Sequence, residues 1–301
     1  VQEGTIRQYT IGHGRNPVFS NISRKISSLR AFKMIQVDID VAYKTVMETV
    51  GIAREIVMKG FQGIKTVEEK SSSYDLVTEF DKKTEVYLIE TLSKAFPDHK
   101  FIGEETSSKC TLTDEPTWII DPIDGTTNFV HCFPHSAISV ALAVGKEIVI
   151  GIVCNPMQDQ TFTAIKGRGA FLNGRPIHVS TTTELKDAVV GFEISLASAP
   201  GIRDKFVKRY RSCVSQTQGM RCLGSAQLSL CMVALGAWDA YHVEHLFVWD
   251  LAAGSLIITE AGGTVLDVDG GVFNCENGRI ITASTESLAR KLVEVFNVDD
   301  E

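Results

Sequence analysis

Trp118-Ile119-Ile120-Asp121-Pro122-Ile123-Asp124-Gly125-Thr126-Thr127-Asn128 decides how the rest of the chain is read. Three bulky apolar residues form a short buried strand that runs directly into Asp121. Pro122 fixes its own φ and has no N–H, which interrupts a β-ladder and favours a turn. Two carboxylates three residues apart can then point at one spot. Gly125 permits close backbone approach. Thr126-Thr127-Asn128 can open a helix whose first N–H groups lack intrahelical partners and suit an anion. Converging carboxylates repel unless a cation sits between them. Hard cations such as Mg²⁺ take oxygen ligands, usually a few carboxylates with water and substrate phosphate. Asp-x-x-Asp-Gly alone is an ordinary turn composition, so its company elsewhere in the chain matters.

Two further acidic positions fall at element boundaries. Glu104-Glu105 follows Phe101-Ile102-Gly103, a strand end closed by glycine. Asp250 opens a helix predicted over Leu251–Glu260, after the apolar approach Leu246–Trp249. Strand ends and helix starts are where α/β architectures place ligand sites. Adjacent glutamates commonly mark a solvated face, and a lone aspartate before a helix is most often a cap. The arrival of all these positions beside apolar strands favours a metal site.

Further out, Ile39, Tyr43, Val46, Val50, Ala53 and Val57 recur every three or four residues. They predict a helix begun by Asp38 and ended by Gly60. A second helix is predicted over 79–95, capped by Thr78 and stopped by Pro97. Strands follow at 138–144 and 147–153 around Gly145-Lys146, at 161–165 and at 171–172. Asn173-Gly174 is a hairpin turn that returns the chain into 177–179. From there the pattern alternates: strand 188–194, helix 202–213, helix 225–235, strand 240–243, helix 249–260, strands 264–267 and 280–283, and helix 287–296. The reading is an α+β lobe over 37–183 and an α/β lobe over 184–301 that completes the site.

Residues 1–36 carry Arg7, Arg15, Arg24, Lys25, Arg30 and Lys33 against the single acid Glu3. That Ser-rich, weakly patterned stretch resembles a mitochondrial presequence. The preferred expectation is a disordered or non-native extension, since the chain starts with Val and Met34 could be a native start. The whole chain has a net charge of −7, with 44% hydrophobic and 22% charged residues among 301. An acidic chain is a poor partner for nucleic acid or an anionic membrane. Its greasiest runs, 137–144 and 148–154, are far too short to span a bilayer. Seven scattered cysteines without a CxxC pair argue against zinc or a disulfide framework and for a reducing compartment. The expected location is cytoplasmic, or mitochondrial if the first 36 residues are native.

Gly103-Glu104-Glu105-Thr106-Ser107, the stretch from Trp118 to His131, and Trp249-Asp250-Leu251-Ala252-Ala253-Gly254 resemble the three signatures of the inositol monophosphatase family, in order and at plausible spacing. Lys70-Ser71-Ser72, then Asp75-Leu76-Val77-Thr78 and Asp81, resemble its N-terminal segment. The match covers about residues 38–296. The resemblance implies a layered αβαβα sandwich of the inositol monophosphatase and sugar phosphatase type, a homodimer, Mg²⁺ dependence and inhibition by lithium. Carried over residue by residue, Glu104, Asp121 and the Ile123 carbonyl would hold one metal. Asp121, Asp124 and Asp250 would hold a second, and Glu104 would help with a third. Thr126 with Glu104 would orient the attacking water, and Gly125 and Thr126 would contact phosphate. Asp124, Asp250 and Ala226, the last within Gly224-Ser225-Ala226, would lie against the substrate. Lys70 and Asp81 would give electrostatic support.

The implied reaction is hydrolysis of an inositol monophosphate, a small phosphorylated polyol, by metal-activated water with no covalent enzyme intermediate. Alternatives are a sugar-phosphate or nucleotide 3′-phosphate phosphatase of the same fold, or a non-catalytic scaffold. The sequence departs from the family pattern after Asp239-Ala240-Tyr241, where a Glu is commonly found two residues on. Val243 stands there and Glu244 comes one residue late, which on a strand turns it to the opposite face. His242 could stand in as a hydrogen-bond partner, though an ordinary surface or core histidine is the preferred reading, and His131 and His135 are read as structural.

Overall fold

A computed structural model describes residues 37–70, 76–107, 111–198 and 201–300. The expectations placed on residues 1–36, and on Ser71, Ser72 and Asp75, lie outside that range. The described residues form one compact unit. The elements in chain order are α1 (Ile39–Gln62), β1 (Val67–Glu69), β2 (Leu76–Thr78), α2 (Glu79–Ala95), β3 (Lys100–Gly103), β4 (Thr117–Asp124) and α3 (Thr126–Val130). There follow β5 (Ala137–Val144), β6 (Glu147–Asn155), β7 (Gln160–Ile165), β8 (Ala170–Leu172) and β9 (Arg175–Ile177). The remainder comprises β10 (Val189–Phe192), α4 (Arg203–Val214), β11 (Gly219–Arg221), α5 (Ala226–Ala234), β12 (Ala240–Val243), α6 (Ala252–Glu260), β13 (Thr264–Leu266), β14 (Ile280–Ala283) and α7 (Glu286–Asp300).

Strands β3 to β9 form a seven-stranded sheet in sequential order, and β11-β10-β12-β14-β13 form a five-stranded sheet. In the first only β3 and β4 pair in parallel. Period-2 alternation sends the side chains of each strand to two different cores. Trp118, Ile120, Ile138, Val140, Ile150 and Ile152 pack with Val46, Val50, Leu88 and Leu92 of α1 and α2. Ile119, Ala141, Ala143 and Val153 face the other way, onto Leu228, Leu230, Ala253 and Ile257 of α5 and α6, which also receive Tyr241 and Val243 of β12. On the far face of the second sheet, Val190, Phe192, Ala240 and Ile281 meet Phe206, Leu288, Leu292 and Phe296 of α4 and α7. Helices, sheet, helices, sheet, helices is the expected five-layer sandwich, with both faces of each sheet covered.

Caps fall largely where the side chains dictate. Asp38 accepts from Asp40 N and Val41 N, and Thr78 with Asp81 makes a reciprocal capping box on α2. Asn173 and Gly174 both take positive φ in the β8–β9 hairpin. The predicted stop at Gly60 is corrected: α1 continues to Gln62 and is capped by Gly63. Gly60 is instead a packing position, since a Cβ there would lie 2.5 Å from Phe80. The β1–β2 hairpin and edge strand β11 have no strong sequence pattern and were not foreseen. Among the described residues, no helix is long and apolar enough to cross a membrane, and no cysteine is in a disulfide.

Gly151 lets α6 lie directly on β6, because a Cβ there would meet Ala253 O at 2.6 Å. Gly151→Ala is therefore expected to destabilise the protein by about 1–3 kcal/mol, read from the midpoint of urea denaturation. An unchanged midpoint would show that α6 does not bear on β6.

Candidate active site

Strand β4 delivers two carboxylates through a one-residue bulge. Asp121 pairs with Ser139 and Asp124 with Ala137, so three steps along β4 answer two along β5. In a regular strand residues three apart point to opposite faces. The extra residue at Pro122-Ile123 cancels that inversion and brings both carboxylates to one end of the sheet. Asp121 accepts from Ile123 N at 3.0 Å, which folds the turn onto itself. Gly125 then takes φ 83°, and a Cβ on it would meet Gly224 O at 2.9 Å, so no other residue fits there without strain.

The second half of the chain grips Asp124. Ser225 Oγ donates to its Oδ2, Ala226 N reaches Oδ1 at 3.2 Å and Gln227 N reaches Oδ2 at 2.8 Å. All three lie at the start of α5, where backbone N–H groups need partners. Gln227 also donates to Trp249 O at 2.7 Å and accepts from Gly254 N at 2.9 Å, tying α5 to the approach and first turn of α6. Asp250 does not open α6 as predicted. It closes a 3₁₀ turn over Val248–Asp250 and accepts from Phe247 N at 2.7 Å, while Leu251 is the residue before the helix.

Asp121, Asp124 and Asp250 each present an oxygen within 4.8 Å of the others. Glu104 follows β3, with its N–H on Ile120 O at 3.1 Å, and its charge bears on all three. Lys70 Nζ donates to Glu104 at 2.9 Å and to Glu105 at 2.6 Å. One ammonium leaves most of this negative charge uncompensated. Burial, then the neighbouring carboxylates, push Asp121 and Asp250 well above the usual carboxylate range. Burial raises Asp124 to about 7 against its hydrogen bonds from Ser225, Gln227 and Ala226. Burial likewise raises Glu105 to about 7. For Lys70 burial works the other way but is outweighed by Glu104 and Glu105, so its ammonium is held more firmly than usual. An all-oxygen donor set, with Asp121 and Asp124 buried and Asp250 and Glu104 half-buried, and short of positive charge, fits a hard divalent cation.

Thr126 Oγ1 lies 3.1 Å from Ile123 O and 3.3 Å from Asp81 Oδ1. Thr126 was paired with Glu104 from the sequence; the hydrogen bonds place Asp81 beside it. Asp81 is fully buried at the start of α2, and burial raises it to about 6 despite hydrogen bonds from Thr78. Two supporting residues were not singled out. Glu85, buried on α2, accepts from Glu105 N at 2.9 Å and so fixes the Glu104-Glu105 turn. Glu193, just after β10, accepts from Gly224 N at 3.2 Å. Its only sequence signal is an acid closing an apolar strand.

Beside the carboxylates a cavity of about 140 Å³ is walled by Asp124 and Asp250, by Ala226, Val243 and Leu246, and by Glu193. Val243 does stand at the cavity. Glu244 turns away into a buried ion pair with Arg209 and a 3.0 Å contact with Lys205. His242 is buried among Phe192, Phe206 and Phe296, consistent with a core histidine. His135 is also buried, and burial lowers it to about 4.

Raised carboxyl values make a signed prediction. Asp124 goes from an ordinary 3.8 to about 7 on folding. Its contribution to stability is thus fully present below about pH 4 and lost as pH rises through about 7. Stripped of divalent cations, the protein should melt at progressively lower temperature from about pH 5 to about pH 8, and a saturating divalent cation should remove most of that decline. Scanning calorimetry with chelator and with that cation checks this. A chelated protein whose Tm rises over that window would contradict it.

Residues 38–298 match the model of the inositol monophosphatase family. The chain is 44% identical to inositol monophosphatase 2 of Solanum lycopersicum, over 81% of its own length and 94% of that protein. It is 41% identical to inositol monophosphatase 2 of Homo sapiens, over 83% and 90%. Among solved structures, the extragenic suppressor protein suhB from Bartonella henselae superposes with a TM-score of 0.78 at 33% identity, covering 85% of this chain and 98% of that one. With the acidic corner built from the same three stretches that carry the signatures, the chain belongs to the inositol monophosphatase family.

Proposed function

We propose that this protein hydrolyses inositol monophosphate to inositol and phosphate with Mg²⁺ as its cation. The observation that carries the reading is the meeting of Asp121, Asp124 and Asp250 within 4.8 Å, beside the start of α3 and a small cavity. Those three carboxylates, with Glu104 and the Ile123 carbonyl, would hold the ions. Bound there, divalent cations neutralise the phosphate, lower the pKa of a coordinated water and stabilise the leaving oxygen. We carry over from the family that the protein works as a homodimer and is inhibited by lithium.

The chain's own residues supply the rest. Gly125 and the first amides of α3 face an incoming phosphate, since a helix start leaves N–H groups without intrahelical partners. Thr126 Oγ1 donates to Asp81 Oδ1, which leaves its lone pairs to orient the attacking water. Asp81, at about 6, is matched to receive a proton near neutral pH. Lys70 holds Glu104 and Glu105 in place from the open side. Asp124, Asp250 and Ala226 border the cavity that the leaving alcohol occupies.

Phosphate release from myo-inositol 1-phosphate, sugar phosphates and a nucleoside 3′-phosphate, with and without Mg²⁺ and Li⁺, tests the reading and separates it from its siblings. Asp121→Asn and Asp250→Asn should each lower kcat/KM by about 100-fold or more. Asp81→Asn should lower kcat by about 100-fold with little change in KM. Undiminished phosphate release in the presence of a chelator would overturn the assignment.

A further inference from the structure

Gln227 puts a primary amide where its neighbours Ala226 and Leu228 put apolar groups, at the second position of α5, and it is fully buried. Such a group costs free energy unless its donor and its acceptor are both satisfied. Both are. Nε2 donates to Trp249 O at 2.7 Å, and Oε1 accepts from Gly254 N at 2.9 Å. The first partner is the carbonyl immediately before Asp250. The second is the third N–H of α6, a helix that starts without a side-chain cap. One amide therefore brackets Asp250 along the chain. The main-chain N–H of the same residue holds Asp124 Oδ2 at 2.8 Å. Phe247 N also restrains Asp250, but it fixes the carboxylate within its own turn and not relative to Asp124. The two aspartates come from distant segments and repel one another, yet they present oxygens within 4.8 Å.

Resting on the reading that these carboxylates hold a divalent cation, we propose that Gln227 is a positioning residue that sets the spacing of Asp124 and Asp250 and so favours a small cation of strict geometry over a larger, more tolerant one. Mg²⁺ demands near-octahedral coordination, whereas Ca²⁺ accepts longer and less regular shells. A spacing fixed before the ion arrives serves Mg²⁺. A slack one costs Mg²⁺ more than Ca²⁺. Groups that orient metal ligands from behind change metal affinity by about 10–100-fold.

A rival role for Gln227 is confined to packing α5 against α6. Gln227→Met separates the two, because it keeps the side chain's length, removes both of its hydrogen bonds and leaves the main-chain bond to Asp124 in place. The measurement is the Tm of the phosphate-free protein against rising Mg²⁺ or Ca²⁺, by scanning calorimetry, which gives a half-saturating concentration for each ion without turnover. A packing role lowers the cation-free Tm and leaves the ratio of the two concentrations unchanged. The expected result for Q227M is a half-saturating Mg²⁺ concentration raised at least about tenfold, and a rise for Ca²⁺ at least about threefold smaller. Gln227→Asn, which keeps the amide but withdraws it by one methylene, should show the same bias at smaller size and serves if Q227M does not fold. Equal rises for both ions, a larger rise for Ca²⁺, or no rise for either would overturn the proposal. A wild-type protein whose Tm answers neither ion would instead overturn the cation reading, and this proposal with it.

Discussion

Repulsion between buried carboxylates is the constraint around which this molecule is arranged. Unit charges 4.8 Å apart repel by about 3–4 kcal/mol at an effective dielectric of about 20, and burial adds its own cost. The chain meets that cost with two local restraints and one from a distant segment. A bulge turns Asp121 and Asp124 the same way, a 3₁₀ turn fixes Asp250, and the start of α5 supplies three donors to Asp124. What these restraints do not supply is positive charge, and that shortage makes the corner a place for a cation.

The polar partners show how little slack the arrangement has. Gln227 uses both ends of its amide, and its N–H as well, to bind Asp124, Trp249 and Gly254 at once. Glu85 sits under Gly103 so closely that a Cβ there would meet its carboxyl carbon at 2.5 Å. On the far side of β12 the one-residue offset of Glu244 has a definite destination. It joins Arg209 in a buried pair, leaving Val243 to face the cavity.

The features legible in the sequence are those set by neighbouring residues. The Asp-Pro-Ile-Asp-Gly turn, the Thr78 cap and the Asn173-Gly174 hairpin follow from proline, glycine and short polar side chains acting within a few positions. The five layers were expected through the family resemblance, whereas periodicity alone read as an α+β stretch followed by an α/β stretch. Less accessible were features decided by distant contacts. Gly60 reads like a helix stop, yet its hydrogen side is filled by Phe80 and Phe129. Asp250 reads like a helix cap, yet the backbone closes a tighter turn first. Gln227 lies inside an apolar run, and Glu193 and Glu85 look like ordinary acids. Their roles exist only because Gly224, Trp249 and Glu105, remote in sequence, arrive beside them.

The grip on Asp124 has a consequence for how the protein becomes competent. The aspartate belongs to the seven-stranded sheet, and its clamp belongs to α5, which packs between that sheet and the second one. A nascent chain with only the first sheet assembled would present loose acids that any water can solvate. The clamp that orders this carboxylate for a cation is thus complete only when α5 has docked on the first sheet.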